Sequence, residues 1–588
     1  MPSTALKPTT TAHAITIDGL RKIPVGAPKP QAYRFTFTAG ETLEASSRIQ
    51  LVGGKFRGVF ESWSLQASTL DESQITLVQA PPKDFNALMD ARMNERSNQH
   101  YRLLVLELKE TLPAGESLGW TLAYTPLDLA PLPTWIACEL KTPDDKAYRP
   151  VGERFAFGTV PGAAARLEVR VSAHPDKRGR HRGSVFVTDA WLNPADTFSG
   201  QVMLESEGVS GLPACVELHR GVGHFSYRQT GDIVRIHATT EEQGFSAVSN
   251  PSLKAPANGT SIYFGAIHFH SAFSDDGDRN PEDAFAYARD VLNLDVVGLT
   301  DHSPIDFWTQ TCEANEAFWD EGRFITLPSW EWSTDDGHAN LYLKTPEVAA
   351  GPACCLEGPH PGSSEWPDDV LLIPHHTNTQ PPEINPETGE PYWRTYDWSL
   401  RNPRIRAVEM CQTRGSFEMD VIDPEWDIRD EGFGASVADA LKMGYRLGFV
   451  GGTDNHAGFP TRSGTGKEPV PRYIGMTAFM APELTRSAIW DALNTGQTYA
   501  TSGVPIILLV NVSFAGDTQV EVSAEIHGTA PIEIAQIIVN GEVAASIESG
   551  QLDVTWKQTL TVPSGASVYL RLRQTDGYMA WSSPRWSK

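Results

Sequence analysis

SIYFGAIHFHSAFSDDGDRNPEDAFAYARDVLNLDVVGLTDH, residues 261–302, contains a strand, a helix and a second strand in close succession. SIYFGAIHFH (261–270) is strand-like and ends in a His-x-His pair. PEDAFAYARDVLN (281–293) carries a helix start signal: Asn280 as N-cap, Pro281 in the first turn and Asp283 three residues after the cap. LDVVGLTDH (294–302) follows at once as the next strand. Further strand candidates are FITLPSWEW (324–332), HANLYLK (338–344), DVLLIPHH (369–376), IRAVEM (405–410), RLGFVGGTDNH (446–456) and YIGMTAFM (473–480). SVADALKMG (436–444) and ELTRSAIWDALNTG (483–496) read as helices. Alternating β and α over about 240 residues, within 258–500, predicts a β/α barrel or a related parallel architecture.

On either side the texture is all β. Residues 1–32 are rich in Pro and Thr and read as an N-terminal lead-in. Short runs such as RFTFTAG (34–40), RIQLVGG (48–54) and YRLLVLELK (101–109) predict a β-sandwich over 33–163. ARLEVRVSA (165–173), GSVFVTDA (183–190) and GQVMLESEG (200–208) predict an immunoglobulin-like sandwich over 164–257. PIILLVNVSF (505–514) and IEIAQIIV (532–539) open a C-terminal β-sandwich over 501–588, where Asn540-Gly541 is a hairpin turn signal. The expected chain is multidomain, an α/β barrel flanked by all-β modules.

Composition limits the function classes. The 588 residues hold 48 Lys and Arg against 73 Asp and Glu, a formal charge of −25. So acidic a surface disfavours nucleic acid and anionic membrane as partners. The six Cys form no C-x-x-C pair, which fits a reducing compartment. The first twenty residues have no apolar signal region and no run approaches 18 apolar residues, so a cytoplasmic protein is expected.

Half of the 16 His lie between 268 and 456, and several end predicted strands. His268 and His270 end the first, Asp301-His302 the second, Glu331 nearly the third, His375-His376 another and Asp454-x-His456 a late one. In a barrel of parallel strands these ends converge on one mouth. Imidazoles and carboxylates gathered there suit two or three divalent ions of Zn, Mn or Fe.

GAIHFHSAFSDDG (265–277), PEDAFAYARDVLNLDVVGLTDHS (281–303), SWEWSTDDGHANLYL (329–343), LLIPHHTN (371–378) and GGTDNHAG (451–458) together resemble the motifs of the PHP (polymerase and histidinol phosphatase) superfamily. The resemblance implies a distorted TIM-like, PHP-type barrel over 258–500 with a two- or three-metal site. His268, His270, Glu331 and Asp454 would hold one ion. Glu331 would bridge to a second, completed by His338 and His375. His302 and His456 would hold a third, with Asp275 or its neighbour Asp276. On a strand His375 and His376 face opposite ways, and His375 is the one that follows Ile-Pro.

The expected function is a metal-dependent hydrolase, first a phosphoesterase acting on a small organic phosphate mono- or diester through a metal-bridging hydroxide. Lactone, amide or carboxyl-ester hydrolysis on the same site is one alternative. A non-catalytic binding or scaffold protein with a structural metal is the other. His376 and Glu409 are candidates for acid or base help, and Arg279, Arg394, Arg414 and Arg462 for contacts to an anionic small-molecule substrate. PYWRTYDW (391–398), after the Pro-rich insertion TQPPEINPETGEP (379–391), reads as a lid or pocket wall, or as a self-packed surface loop. A homo-oligomer is compatible with all of this.

Overall fold

The computed structural model describes residues 12–54, 58–65, 70–81, 101–256, 259–274, 277–302, 304–334, 337–345, 368–378, 383–384, 391–392, 396–419, 435–462, 472–516 and 518–587. Asp275, Asp276, Arg394, most of the Pro-rich insertion 379–391 and residues 393–395 of the expected 391–398 lid lie outside them. The chain divides into two units, Met1–Ala163 and Ala164–Lys588.

The first unit has two sheets. Four strands run in the order Ala14–Asp18, Gln31–Thr38, Ser117–Pro126, Gly58–Leu65. Six run in the order Lys22–Pro24, Arg149–Val160, Leu132–Lys141, Arg48–Gly53, Tyr101–Leu108, Ile75–Gln79. Strict alternation in QAYRFTFT sends Tyr33, Phe35 and Phe37 inward. Phe35 stacks on Trp120 at 5.5 Å between ring centroids. Both sheets contribute to one core. Two strands arise inside the expected lead-in, because Ile15 and Ile17 alternate and pair opposite Phe37 and Phe35.

The second unit begins with another pair of sheets. One orders Arg166–Val171, His181–Thr188, Val222–Gln229 and Val209–Ser210; the other orders Cys215–Leu218, Gly200–Glu205, His237–Thr239 and Ser246–Val248. Val169, Val185, Val202 and Tyr227 lie in their shared core. Two histidines are buried here. His174 Nδ1 accepts the Ile262 N–H at 2.9 Å, and the His181 ring stacks on Tyr227 at 5.0 Å. Burial pushes both pKa values down from 6.5 to about 4. The folded values lie below the unfolded ones, so their stabilisation is complete above pH 6.5 and is lost as pH falls toward 4. Each shift corresponds to on the order of 3 kcal/mol. Thermal melts across that window should show a slope that flattens in His174→Gln/His181→Gln; an unchanged slope would mean that other groups set the acid limit.

The remaining residues do not form the expected TIM-like barrel. Strands predominate among the described residues, and no sheet closes. Parallel pairing links Ser261–Ala266 to Val296–Gly298 and that strand to Ile325–Leu327. On its other edge Ser261–Ala266 pairs antiparallel with Met476–Ala481. The same sheet continues through Thr498–Thr501 and Met579–Ser582 into the C-terminal strands, eleven in all. Ser329–Thr334, Gly337–Leu343 and Val370–His375 form a separate antiparallel sheet. Gly415–Ser416, Ala407–Gln412 and Gly448–Gly451 form a third.

The physical reason is the length of the connections. Only two residues separate Thr334 from Gly337, enough for a hairpin and far short of the dozen or more that a parallel crossover needs. The helices are few as well. Pro281–Ala286 continues as a π turn, Tyr287–Val291, and Val437–Lys442 is equally short. Asn280 takes the N-cap backbone conformation without a side-chain cap bond, whereas Ser436 and Asp439 make a full capping box. Arg486–Thr495 ends at Gly496 with φ +63°. Pro304–Phe318, the longest of the four α-helices among the described residues, was not expected from the sequence. Among the described residues no helix is long and apolar enough to cross a membrane.

Candidate metal centre

The strand ends converge although no barrel closes. His268 and His270 lie just beyond Ser261–Ala266, and Phe269 between them bridges to Asn455 in parallel. Both imidazoles are fully buried. Glu331 sits in the middle of its hairpin strand and its carboxylate faces five imidazoles. Oε2 is 3.2 Å from His268 Nε2 and 3.2 Å from His270 Nε2. Oε1 is 2.9 Å from His338 Nδ1, 3.3 Å from His375 Nε2 and 4.0 Å from His302 Nδ1. Sheet register explains part of this, since His338 is paired directly with His375.

The strand Val370–His375 ends at His375, and His376 adopts φ +34°. The chain leaves the pleat there, so the opposite-face rule for neighbouring strand residues no longer applies. The rings of His375 and His376 lie 4.4 Å apart, and His376 lies 4.5 Å from His338. Both therefore face the centre. From the other side, Asp454 (φ +53°) places Oδ1 3.2 Å from His270 Nε2, 3.6 Å from His268 Nε2 and 3.8 Å from His456 Nε2. His302 and His456 both stack on His270, at 4.6 and 4.0 Å.

Three of these histidines are held through Nδ1. His268 Nδ1 lies 2.7 Å from Glu409 Oε2, His270 Nδ1 3.2 Å from Ser274 Oγ, and His456 Nδ1 3.0 Å from the Asp454 carbonyl. A partner at Nδ1 that fixes the proton there directs each Nε2 lone pair into the centre, the outer-layer arrangement of metal-ligating imidazoles. Glu409 is itself held by Gln412 Nε2 at 2.8 Å and touches His268. That contact supports orientation of His268 as its role. Asp301 anchors the preceding loop by accepting from Ser271 N (2.6 Å), Ser271 Oγ (2.6 Å) and Ser274 Oγ (2.8 Å).

Electrostatics support a cation here. Burial alone would lower the His268 pKa, but Glu409, Asp454 and Glu331 outweigh it and push it up to about 10. His270 is raised in the same way against burial by Asp454 and Glu331. Burial would raise Glu331 and Asp454, yet the facing histidines and Arg414 hold both well below the usual carboxylate range. His375 and His376 are pushed down, first by burial. His375 is the most telling residue. Among the described residues both its ring nitrogens are buried without a partner in hydrogen-bond geometry, Nε2 lying 3.3 Å from Glu331 Oε1. A buried imidazole in a purely structural network would be expected to have at least one.

Three donor groups fit a metal, each with its ligand atoms within 4.8 Å of one another: His268, His270, Glu331 and Asp454; Glu331, His338, His375 and His376; and His270, His302 and His456. Glu331 and His270 each belong to two groups. Nitrogen and carboxylate donors of this kind suit Zn, Mn or Fe.

The expected substrate arginines separate. Arg414 pairs with Asp454 and donates to Gln412 Oε1 at 2.7 Å, so it reaches the centre. Arg462 is buried and donates to Asn193 Oδ1 (2.8 Å) and the Trp191 carbonyl. Arg279 stacks over Phe459 at 3.9 Å. Sequence reasoning missed Gly452 and Gln412; it named Asp301 as a strand-end carboxylate, and the structure shows it bonded to Ser271 and Ser274. The doublet Gly451-Gly452 before Thr453-Asp454 was the available signal, since paired glycines often mark a close backbone approach.

No family model matches the chain. The PHP resemblance therefore has no such support, and the TIM-like barrel it implied is not formed. Similarity at the sequence level extends to proteins described only as uncharacterized. One from Chlamydia pneumoniae is 27% identical over 375 residues, covering 55% of this chain and 57% of that protein. One from Chlamydia muridarum is 28% identical over 213 residues, 31% of this chain and 34% of that one. One from Chlamydia trachomatis is 28% identical over 224 residues, 32% and 36%. The chain thus spans at most 57% of these relatives. Among solved structures, a cohesin module from a Clostridium perfringens family 33 glycoside hydrolase is 15% identical with TM-score 0.16, covering 26% of this chain and 99% of that one. The C-terminal domain of the Streptococcus pyogenes antigen I/II-family protein AspA is 6% identical with TM-score 0.20, covering 41% and 99%. Scores this low carry no argument.

Proposed function

We propose that the chain is a metal-dependent hydrolase of small anionic substrates, with phosphoric esters as the first substrate class. The observation that carries this reading is the sharing of Glu331 and His270 between overlapping donor groups, which would set two or three divalent ions side by side. Ions held there would supply Lewis acidity and a water that is nucleophilic at neutral pH. The chain's own residues do the rest. Glu409, Ser274 and the Asp454 carbonyl orient imidazoles. Asp454 and Glu331 offset the cationic charge. Arg414, at the edge of the centre beside Asp454, supports an anionic substrate through its guanidinium. Free cysteines at 138, 215, 312 and 411 support a reducing, cytoplasmic setting.

The test is metal analysis of chain purified without chelator, followed by a screen with added Mn or Zn. Two or three ions per chain and turnover of p-nitrophenyl phosphate or bis(p-nitrophenyl) phosphate are expected, with turnover lost in His268→Ala. Turnover of carboxyl esters or lactones alone would move the reading to carbon esters. Bound metal without turnover on any of them would leave a binding protein.

A further inference from the structure

The strand Arg166–Val171 (RLEVRV) sends Leu167, Val169 and Val171 into the sandwich core. Period two places Arg166, Glu168 and Arg170 on the opposite face, which in a sandwich normally meets water. Here that face is covered at Arg170 and open at Arg166. Arg170 is only 9% exposed, and its guanidinium carbon lies 4.7 Å from the centre of the Tyr473 ring. In front of it is a cavity of about 590 Å³ walled by Phe245, Tyr473 and Tyr578, within the usual size range of small-ligand sites.

The charged pair at the floor is open. Tyr473 donates its hydroxyl to Glu168 Oε1 at 2.6 Å, while Glu168 Oε2 stays 3.6 Å from Arg170, too far for a hydrogen bond. Among the described residues the Arg170 guanidinium donates no hydrogen bond at all. An ion pair this far withdrawn from water is normally closed and hydrogen-bonded when its role is structural, because desolvating it is otherwise costly. An open pair facing a cavity leaves donors for a visitor. Arg166, Arg170 and Arg472 stand against Glu168 and Asp576 around the cavity, so the local charge is positive by one. Burial also raises the Glu168 carboxyl, which weakens its competition for Arg170.

We propose that this cavity binds a small organic anion, a carboxylate or phosphate carried on a ring, anchored by Arg170 with the ring against Tyr473, Tyr578 and Phe245. The site is separate from the metal centre and does not depend on it. Tyr473 bridges to Arg462, so the cavity lies next to the end of the loop that carries Asp454 and His456.

The test is calorimetric titration of the full chain with benzoate, with phenylphosphonate and with glucose. One-site binding of at least one of the two anions is expected, weakened about tenfold by Arg170→Gln, the loss of one charge-assisted contact. Arg166→Gln, on the exposed rim, should weaken it about threefold without affecting folding. That variant carries the test if Arg170→Gln does not fold. The proposal is overturned if neither anion binds up to about 10 mM, if both variants bind like the parent chain, or if glucose alone binds.

Discussion

Glu331→Gln is expected to strip the centre of most of its metal. The substitution keeps size and planarity and removes one charge from the carboxylate that faces His268, His270, His302, His338 and His375. Because Glu331 belongs to two of the three donor groups, one change weakens two sites at once. Affinity for Mn or Zn should fall by about 100-fold or more, beyond what outer-layer changes cost. Metal-dependent turnover should fall on the order of 10³-fold, comparable to losing a main electrostatic contact to the transition state. Elemental analysis after gel filtration separates the two effects, and circular dichroism checks that the fold is kept. A well-folded Glu331→Gln chain with the parent's ion content would sink the shared-carboxylate reading.

The same residues show what the sequence could and could not reveal. The donors were legible because a His-x-His pair, a Glu between two Trp and an Asp-x-His are local patterns, although Glu331 proves to lie mid-strand and not at a strand end. The architecture was not legible, because apolar runs of four to eight residues look the same in parallel and antiparallel sheets. What decided the matter was the two-residue link between Thr334 and Gly337, a long-range consequence of a short spacing. His376 shows the same limit in miniature. Its facing depends on a φ of +34° that no periodicity encodes. The separation of Arg414 from Arg279 and Arg462 was also invisible, since it follows from tertiary partners: Asp454 for the first, Phe459 for the second, Asn193 and the Trp191 carbonyl for the third. Buried faces within single strands were easier, because alternation such as QAYRFTFT names its own buried side.

Gly452→Ala should do nearly as much damage as losing a ligand, without touching one. A Cβ at Gly452 would lie 1.9 Å from Glu409 Oε2 and 2.6 Å from His268 Cβ. Neither neighbour can yield. Glu409 is buried and held between His268 and Gln412, and His268 is fully buried. The backbone is fixed too, as Gly452 N–H donates to the Cys411 carbonyl at 3.0 Å. Overpacking of this kind costs about 1–3 kcal/mol, and a displaced His268 should lose about 10–100-fold in metal affinity. The two effects separate in Gly452→Ala/Glu409→Ala. Removing the Glu409 carboxylate relieves the closest contact and leaves the 2.6 Å approach to His268 Cβ, so the melting temperature should recover only in part. Metal affinity should not recover, because the group that orients His268 is gone. If Gly452→Ala binds metal like the parent chain, or if the double variant regains affinity together with stability, then Glu409 does not orient His268 and the close packing at Gly452 serves the fold alone.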